Sequence, residues 1–223
     1  MVLIHGLFMS GWVMGCLARR VRGCGFRTAI FSYPSRGRSP VDNAADLAGF
    51  LARLRASRIH LVAHSLGGLV VLHLLQDIPE PRLGRILLLG TPLAGSTLVR
   101  RLLRHRPGRW LLGRSVERGL LGDRPRAAPG LDVMVIAGRR SMGIGCLFGG
   151  LPVPNDGTVT VAETRAPDCP RRVIVPTTHM GLVLSRRVAR QVCGFLRGDL
   201  VQEAAAGDDG SAVSPSSSAP KGP

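Results

Sequence analysis

Short apolar runs rich in β-branched residues alternate along the chain with longer stretches in which apolar side chains recur every three or four positions. The runs at residues 2–5, 28–33, 59–63, 86–89, 133–137 and 173–176 predict strands. The stretches at about 12–22, 41–55, 66–77 and 181–197 predict helices. In the second of these, Leu47, Phe50, Leu51 and Leu54 form one apolar face, and Asp42 and Asn43 stand where an N-cap would help. Strands separated by helices predict βαβ units: a mostly parallel sheet of about six strands with helices on both faces. In such a sheet, ligands bind at the carboxyl ends of the strands.

Two stretches break the alternation. Residues 98–130 hold nine arginines, several leucines and Trp110, and predict a partly helical excursion, a cap, over the top of the sheet. Residues 202–223 are rich in Ala, Gly, Ser and Pro without hydrophobic periodicity, and predict a disordered tail behind a single domain of residues 1–198. The longest apolar candidate, 66–75, is interrupted by Gly67, Gly68 and His73 and reads as a core helix, not a membrane span.

One junction carries candidate chemistry. In Ile59-His60-Leu61-Val62-Ala63-His64-Ser65-Leu66-Gly67-Gly68 a β-run gives way to a helical run with Ser65 at the apex. The pattern departs from G-x-S-x-G only at Ala63. A turn this sharp strains the backbone of the serine, and large side chains two residues away would collide with neighbouring elements. A serine there also sits at the positive end of the following helix. Serine before a helix is common, so this junction gains meaning only with a base, an acid and an oxyanion hole in the matching places.

The base candidate is His179, just after the last predicted strand. His5 and His60 belong to predicted strands, His64 should point away from its neighbour Ser65, His73 reads as a core residue and His105 lies in the arginine-rich excursion. His60 and His64 are four apart but lack the glutamate and helix of a zinc-protease motif. The acid candidate is Asp156, in Pro154-Asn155-Asp156-Gly157; Asn-Asp-Gly is also an ordinary turn. Asp132 begins a strand, at the wrong end of the sheet, and Asp168 is a weaker alternative in a Pro-flanked loop. The order Ser65, Asp156, His179 is the order this architecture requires. Oxyanion donors are expected from the backbone N–H groups of Leu66 and Leu7, the latter beside Gly6 in the loop after the first strand. Gly143-Ile144-Gly145 belongs to no G-x-G-x-x-G and is not read as a nucleotide site.

Charge changes the picture of partners more than of fold. The 223-residue chain carries a net +16, and residues 202–223 hold three acids and one lysine, which leaves +18 on residues 1–201. Lys221 is the only lysine beside 29 arginines, a bias that a GC-rich coding sequence also explains. Aromatics are only 4% and no nucleic-acid motif occurs, so the expectation is a solvated basic surface, not an RNA or DNA reader. A weak attraction to anionic membrane surfaces is compatible with the charge. Cys16, Cys24, Cys146, Cys169 and Cys193 form no C-x-x-C, and most are expected to be reduced small hydrophobes. Met1-Val2-Leu3-Ile4-His5-Gly6 lacks the basic start and apolar length of a signal peptide, which predicts a cytoplasmic protein or a true start farther upstream.

Taken together, His5-Gly6-Leu7, Ala63-His64-Ser65-Leu66-Gly67-Gly68, Gly90-Thr91-Pro92-Leu93-Ala94-Gly95-Ser96, Asn155-Asp156-Gly157-Thr158-Val159 and Thr178-His179-Met180-Gly181 resemble the α/β-hydrolases of the lipase and esterase type. The similarity is to small bacterial lipases and inositol-deacylase-like esterases, and it covers about residues 1–198. The resemblance implies an α/β-hydrolase fold and a hydrolase of carboxylic esters, lipid or medium-chain, acting through an acyl-enzyme on Ser65 with His179 and Asp156. It implies no metal and no organic cofactor, and activity that falls as acid protonates His179. A thioesterase or acyltransferase on the same fold, and a non-catalytic hydrolase-fold binding module, are the competing expectations. Oligomeric state has no sequence signature here.

Overall fold

The structure is a computed structural model that describes residues 1–77, 79–127 and 130–199. Six strands, β1 (Val2–Ile4), β2 (Ala29–Phe31), β3 (Ile59–His64), β4 (Leu83–Leu89), β5 (Val133–Gly138) and β6 (Arg171–Val175), form one sheet in the order β2-β1-β3-β4-β5-β6. Every neighbouring pair is parallel. The chain leaves β1 toward β2, then returns to β3 on the other side. The crevice where strand order reverses therefore opens between the ends of β1 and β3.

Side-chain alternation along the strands divides the core in two. Val2, Ile4, Leu61, Ala63, Ile86, Leu88, Val133 and Val135 face α2 (Pro40–Ala52) and α3 (Leu66–Asp77). Leu3, Val62, Leu87, Leu89, Met134 and Ile136 face α1 (Gly15–Arg22), α6 (Gly181–Leu184) and α7 (Arg186–Arg197). Burial on both faces explains why the strands read as continuous apolar runs.

The expected elements are present with small shifts. β2 is shorter than predicted, and β4 begins three residues earlier. The predicted helix at 181–197 divides at Ser185, whose side chain accepts from the N–H groups of Arg187 and Val188 and caps α7. The N-cap of α2 is Ser39, not Asp42 or Asn43. Ser39 and Asp42 form a reciprocal capping box, with Pro40 at the first helical position.

The arginine-rich excursion folds into α4 (Thr97–Leu102), α5 (Arg106–Leu112) and a 3₁₀ turn at Gly113–Val116. Leu98, Val99, Leu102, Leu112 and Leu120 join the core on the α2–α3 side, so this segment is packed, not merely draped. Cys24 and Cys193 form a disulfide between the end of α1 and α7, which corrects the expectation of reduced thiols for those two. Cys16, Cys146 and Cys169 are free. No helix among the described residues is long and apolar enough to cross a membrane. The predicted tail at 202–223 lies outside the described residues.

Candidate active site at the sheet's carboxyl edge

β3 ends at His64 and α3 begins at Leu66, so Ser65 alone makes the turn. Its φ of 53° places it in the left-handed region, which costs a non-glycine residue about 1–2 kcal/mol. The turn holds because the Ser65 N–H donates to the Leu89 carbonyl of β4 at 2.8 Å and the Ser65 carbonyl accepts from Gly68 N–H at 3.0 Å. Close packing holds it as well. A Cβ at residue 67 would sit 2.5 Å from the His5 carbonyl oxygen, and one at residue 68 would sit 2.1 Å from Thr91 Oγ1. Ala63 is completely buried, which fits the small residue expected there.

Asp156 and His179 meet beside this turn. His179 Nδ1 donates to Asp156 Oδ2 at 2.7 Å, and both residues are buried. Asp156 Oδ1 accepts from the N–H groups of Thr158 at 2.9 Å and Val159 at 2.7 Å, so three donors orient the carboxylate. The backbones are joined too, since His179 N–H donates to the Asp156 carbonyl at 2.8 Å. Gly90 makes room for the ring: a Cβ there would lie 3.1 Å from His179 Cε1, and its φ of 59° also favours glycine.

Ser65 and His179 line one cavity of about 370 Å³, together with Leu7 and Leu66. Apart from Ser65, Ser96, Thr158 and His179, every side chain that lines it is apolar. Leu98, Val99, Leu102, Leu111, Leu112 and Leu120 of the cap form one wall. Leu66 is the first residue of α3, so its N–H has no acceptor within the helix. Four of the five predicted site residues line this cavity, and the fifth, Asp156, is joined to it through His179.

The rival residues go elsewhere. Asp132 pairs with Arg85 and Arg171 at the opposite end of the sheet. Asp168 pairs with Arg124 at 2.6 Å, which holds its carboxyl down to a pKa of about 2. His60 Nδ1 accepts from the Arg85 N–H, His73 Nε2 meets the Arg118 carbonyl at 2.6 Å, and His105 precedes α5 at the surface.

Two histidines that were not expected in the site, His5 and His64, support it. His5 lies just past the end of β1, not within it. Its Nδ1–H donates to the Gly6 carbonyl at 2.8 Å, and Nε2 accepts from Tyr33 N–H at 3.2 Å. The Tyr33 hydroxyl donates to the His5 carbonyl at 2.8 Å, and the two rings stack at 4.3 Å. This clamp fixes the loop that carries Leu7. His64 buries its ring against His179, with Nε2 3.1 Å from the His179 carbonyl. Burial lowers the pKa of both histidines, and at His64 the adjacent His179 adds to the effect. A hint was present in the sequence: His64 adjoins Ser65, and His5 stands two residues before Leu7.

Among the described residues no cluster of His, Cys, Asp and Glu is arranged to hold a metal ion. The arrangement can activate a hydroxyl beside an apolar cleft.

Comparisons with known proteins bear on the same architecture. No curated protein sequence matches the chain. Among solved structures, the mature form of a Bacillus licheniformis lipase is similar, with a TM-score of 0.65 and 19% identity over 86% of this chain and 90% of that one. A metagenomic carboxyl esterase gives a TM-score of 0.61 at 19% identity, over 89% and 75% of the two chains. A thermophilic esterase from Thermogutta terrifontis gives 0.60 at 17% identity, over 88% and 89%. At such identities the likeness is one of fold. The sequence signature of the alpha/beta hydrolase family matches residues 1–212, and with the parallel sheet and its crevice this makes the chain a member of the alpha/beta hydrolase family.

Proposed function

We propose that the protein is a serine hydrolase that cleaves carboxylic esters with an uncharged aliphatic acyl group, through an acyl-enzyme on Ser65. The observation that carries this reading is the buried His179–Asp156 pair at 2.7 Å on the wall of an apolar cavity that Ser65 also lines. The Asp156 carboxylate holds the proton on His179 Nδ1, which leaves Nε2 free to accept one. His179 takes the proton of Ser65 as Ser65 Oγ attacks the ester carbonyl carbon. The N–H groups of Leu66 and Leu7 stabilise the oxyanion, each by about 3 kcal/mol. His179 returns the proton to the departing alkoxide. A water activated by the same imidazole then releases the carboxylic acid and restores the serine.

The cavity lining supports the substrate class. It offers methyl and methylene groups to an acyl chain and no cation to a charged one. The proposed acyl wall comes from the cap, chiefly Leu98, Leu102 and Leu112.

A panel of p-nitrophenyl esters of graded acyl length, run on wild type and Ser65→Ala, tests both parts. The expected result is hydrolysis that rises from acetate to medium-chain esters and falls by at least a thousandfold in the variant. A fluorophosphonate probe should label wild type and leave Ser65→Ala unlabelled. Equal labelling of the two proteins would overturn the assignment of the nucleophile.

A further inference from the structure

Around the cavity mouth, large apolar side chains stand in solvent. Trp12 is 92% exposed, Leu147 81% and Trp110 76%. Each immediately precedes a residue that lines the cavity: Val13, Phe148 and Leu111. Three separate segments therefore bring an apolar tip to one rim: the turn at Gly11–Met14, α5, and the 3₁₀ turn at Ile144–Phe148. Arg36 ties α5 to Phe8, in the loop that leads into the turn at Gly11–Met14. Its guanidinium lies 5.8 Å from the Phe8 ring and 5.3 Å from the Trp110 ring, and its Nε–H donates to the Leu111 carbonyl at 2.7 Å.

Positive charge flanks the same tips. Arg106 and Arg109 are exposed on α5 beside Trp110, and Arg139 and Arg140 are exposed where β5 leads toward the 144–148 turn. None of these four is in an ion pair with a described residue. The two acids of the 98–130 segment are already engaged, Glu117 with Arg114 and Asp123 with the Gly119 N–H. The rim is thus apolar at its tips and uncompensated cationic at its flanks. A lone exposed tryptophan needs no explanation, but three such tips around one opening with unpaired arginines form a patch with a preferred environment. Indole rings favour the boundary between headgroups and acyl chains, while arginines meet lipid phosphates.

We propose that this rim docks on an anionic lipid bilayer, with Trp12, Trp110 and Leu147 entering the interface and the four arginines on the phosphates. The cavity mouth then faces the membrane, so an acyl chain can pass from bilayer to cavity with little exposure to water. Docking needs no turnover, so it stands or falls separately from the role given to Ser65.

Co-sedimentation of the full chain with vesicles of equimolar phosphatidylcholine and phosphatidylglycerol, against phosphatidylcholine alone, tests the proposal. Binding should require the anionic lipid and weaken as salt rises. Trp12→Ser with Leu147→Ser should lower the partition coefficient about tenfold. Arg106→Ser or Arg139→Ser should lower it about fivefold each. None of these side chains lines the cavity, so hydrolysis of a soluble short-chain ester should be unchanged in every variant, and circular dichroism should report the same fold. The proposal is overturned by equal binding to both vesicle types, by variants that bind like wild type, or by retention on DNA with none on vesicles.

Discussion

The imidazole of His64 packs 4.6 Å from that of His179, and its Nε2–H reaches the backbone carbonyl of the same residue at 3.1 Å. A carbonyl can only accept, so Nε2 carries the hydrogen and Nδ1 carries a lone pair. That Nδ1 is buried without a hydrogen-bond partner among the described residues. The residue before the proposed nucleophile therefore braces the residue proposed as its base. In His64→Phe the ring volume is kept and the donor is lost, which removes one of the two hydrogen bonds to the His179 carbonyl and leaves only the Leu182 N–H at 3.3 Å, at a cost of about 0.5–1.5 kcal/mol. The expected outcome is kcat reduced about tenfold with KM nearly unchanged, while His64→Gln, which can still donate, recovers much of the loss. A change in KM alone in steady-state kinetics would contradict this bracing role.

Burial also couples these histidines to pH. The pKa of His64 is held well below 6.5, first by desolvation and then by His179, and that of His5 is lowered mainly by desolvation. The unfolded chain thus binds protons that the folded chain refuses. Stability is complete above pH 6.5 and is lost as pH falls below it toward the folded values. Denaturant melts between pH 7 and 5 should show a declining midpoint, and the decline should be shallower in His64→Gln.

The strained φ of Ser65 separates activity from stability. Ser65→Ala and Ser65→Gly both remove the hydroxyl and should be equally inactive. Glycine accepts a φ of 53° without the Cβ clash, and this gain of about 1–2 kcal/mol exceeds the extra chain entropy it loses. The glycine variant should be the more stable of the two by about 1 kcal/mol, or roughly 2–4 °C in Tm. Equal melting temperatures would mean the turn is not strained at this residue.

These relationships differ in how far sequence could show them. The Ser65 turn was legible because a change from strand to helix leaves a local signature over ten residues. Asp156 and His179 were legible through chain order and their places after predicted strands. The His5–Tyr33 clamp and the His64 brace were not, because the clamp exists only once β1 and β2 lie side by side and the brace only once the loop after β6 reaches the end of β3. The Cys24–Cys193 bond joins positions 169 residues apart for the same reason. The cap was read as an excursion whose core contribution stayed hidden, since its leucines face a cavity rather than a regular stripe.

The root of the cap carries its own acid-sensitive fastening. Arg124 donates to both oxygens of Asp168, at 2.6 and 2.9 Å, and to the Leu93 carbonyl at 2.9 Å, while Asp168 also accepts from Ala127 N–H. With the Asp168 pKa lowered from 3.8 to about 2, the pair contributes fully above about pH 4 and is lost as pH falls through 2. Asp168→Asn should destabilise the protein by about 2 kcal/mol at neutral pH, because the Arg124 side chain is only 7% exposed and loses its counter-charge. Acid unfolding of the variant should no longer show a component between pH 4 and 2.

Gly67 and Gly68 should fail differently when given a methyl group. At 68 the obstacle is the Thr91 side chain, 2.1 Å from the added Cβ at Oγ1 and 2.6 Å at Cγ2. At 67 it is the His5 carbonyl oxygen at 2.5 Å, which also accepts from the Tyr33 hydroxyl. A side chain can be trimmed and a backbone carbonyl cannot. Gly68→Ala should lose several kcal/mol of stability and regain a good part of it in the double variant with Thr91→Ala, which removes the two nearest atoms. Gly67→Ala must instead push β1 and α3 apart or move the loop that presents Leu7, so its hydrolytic activity should fall at least a hundredfold and no trimmed neighbour should restore it. Thermal melts with ester hydrolysis across the three variants decide the matter, since rescue of both glycines or of neither would contradict the distinction between the two obstacles.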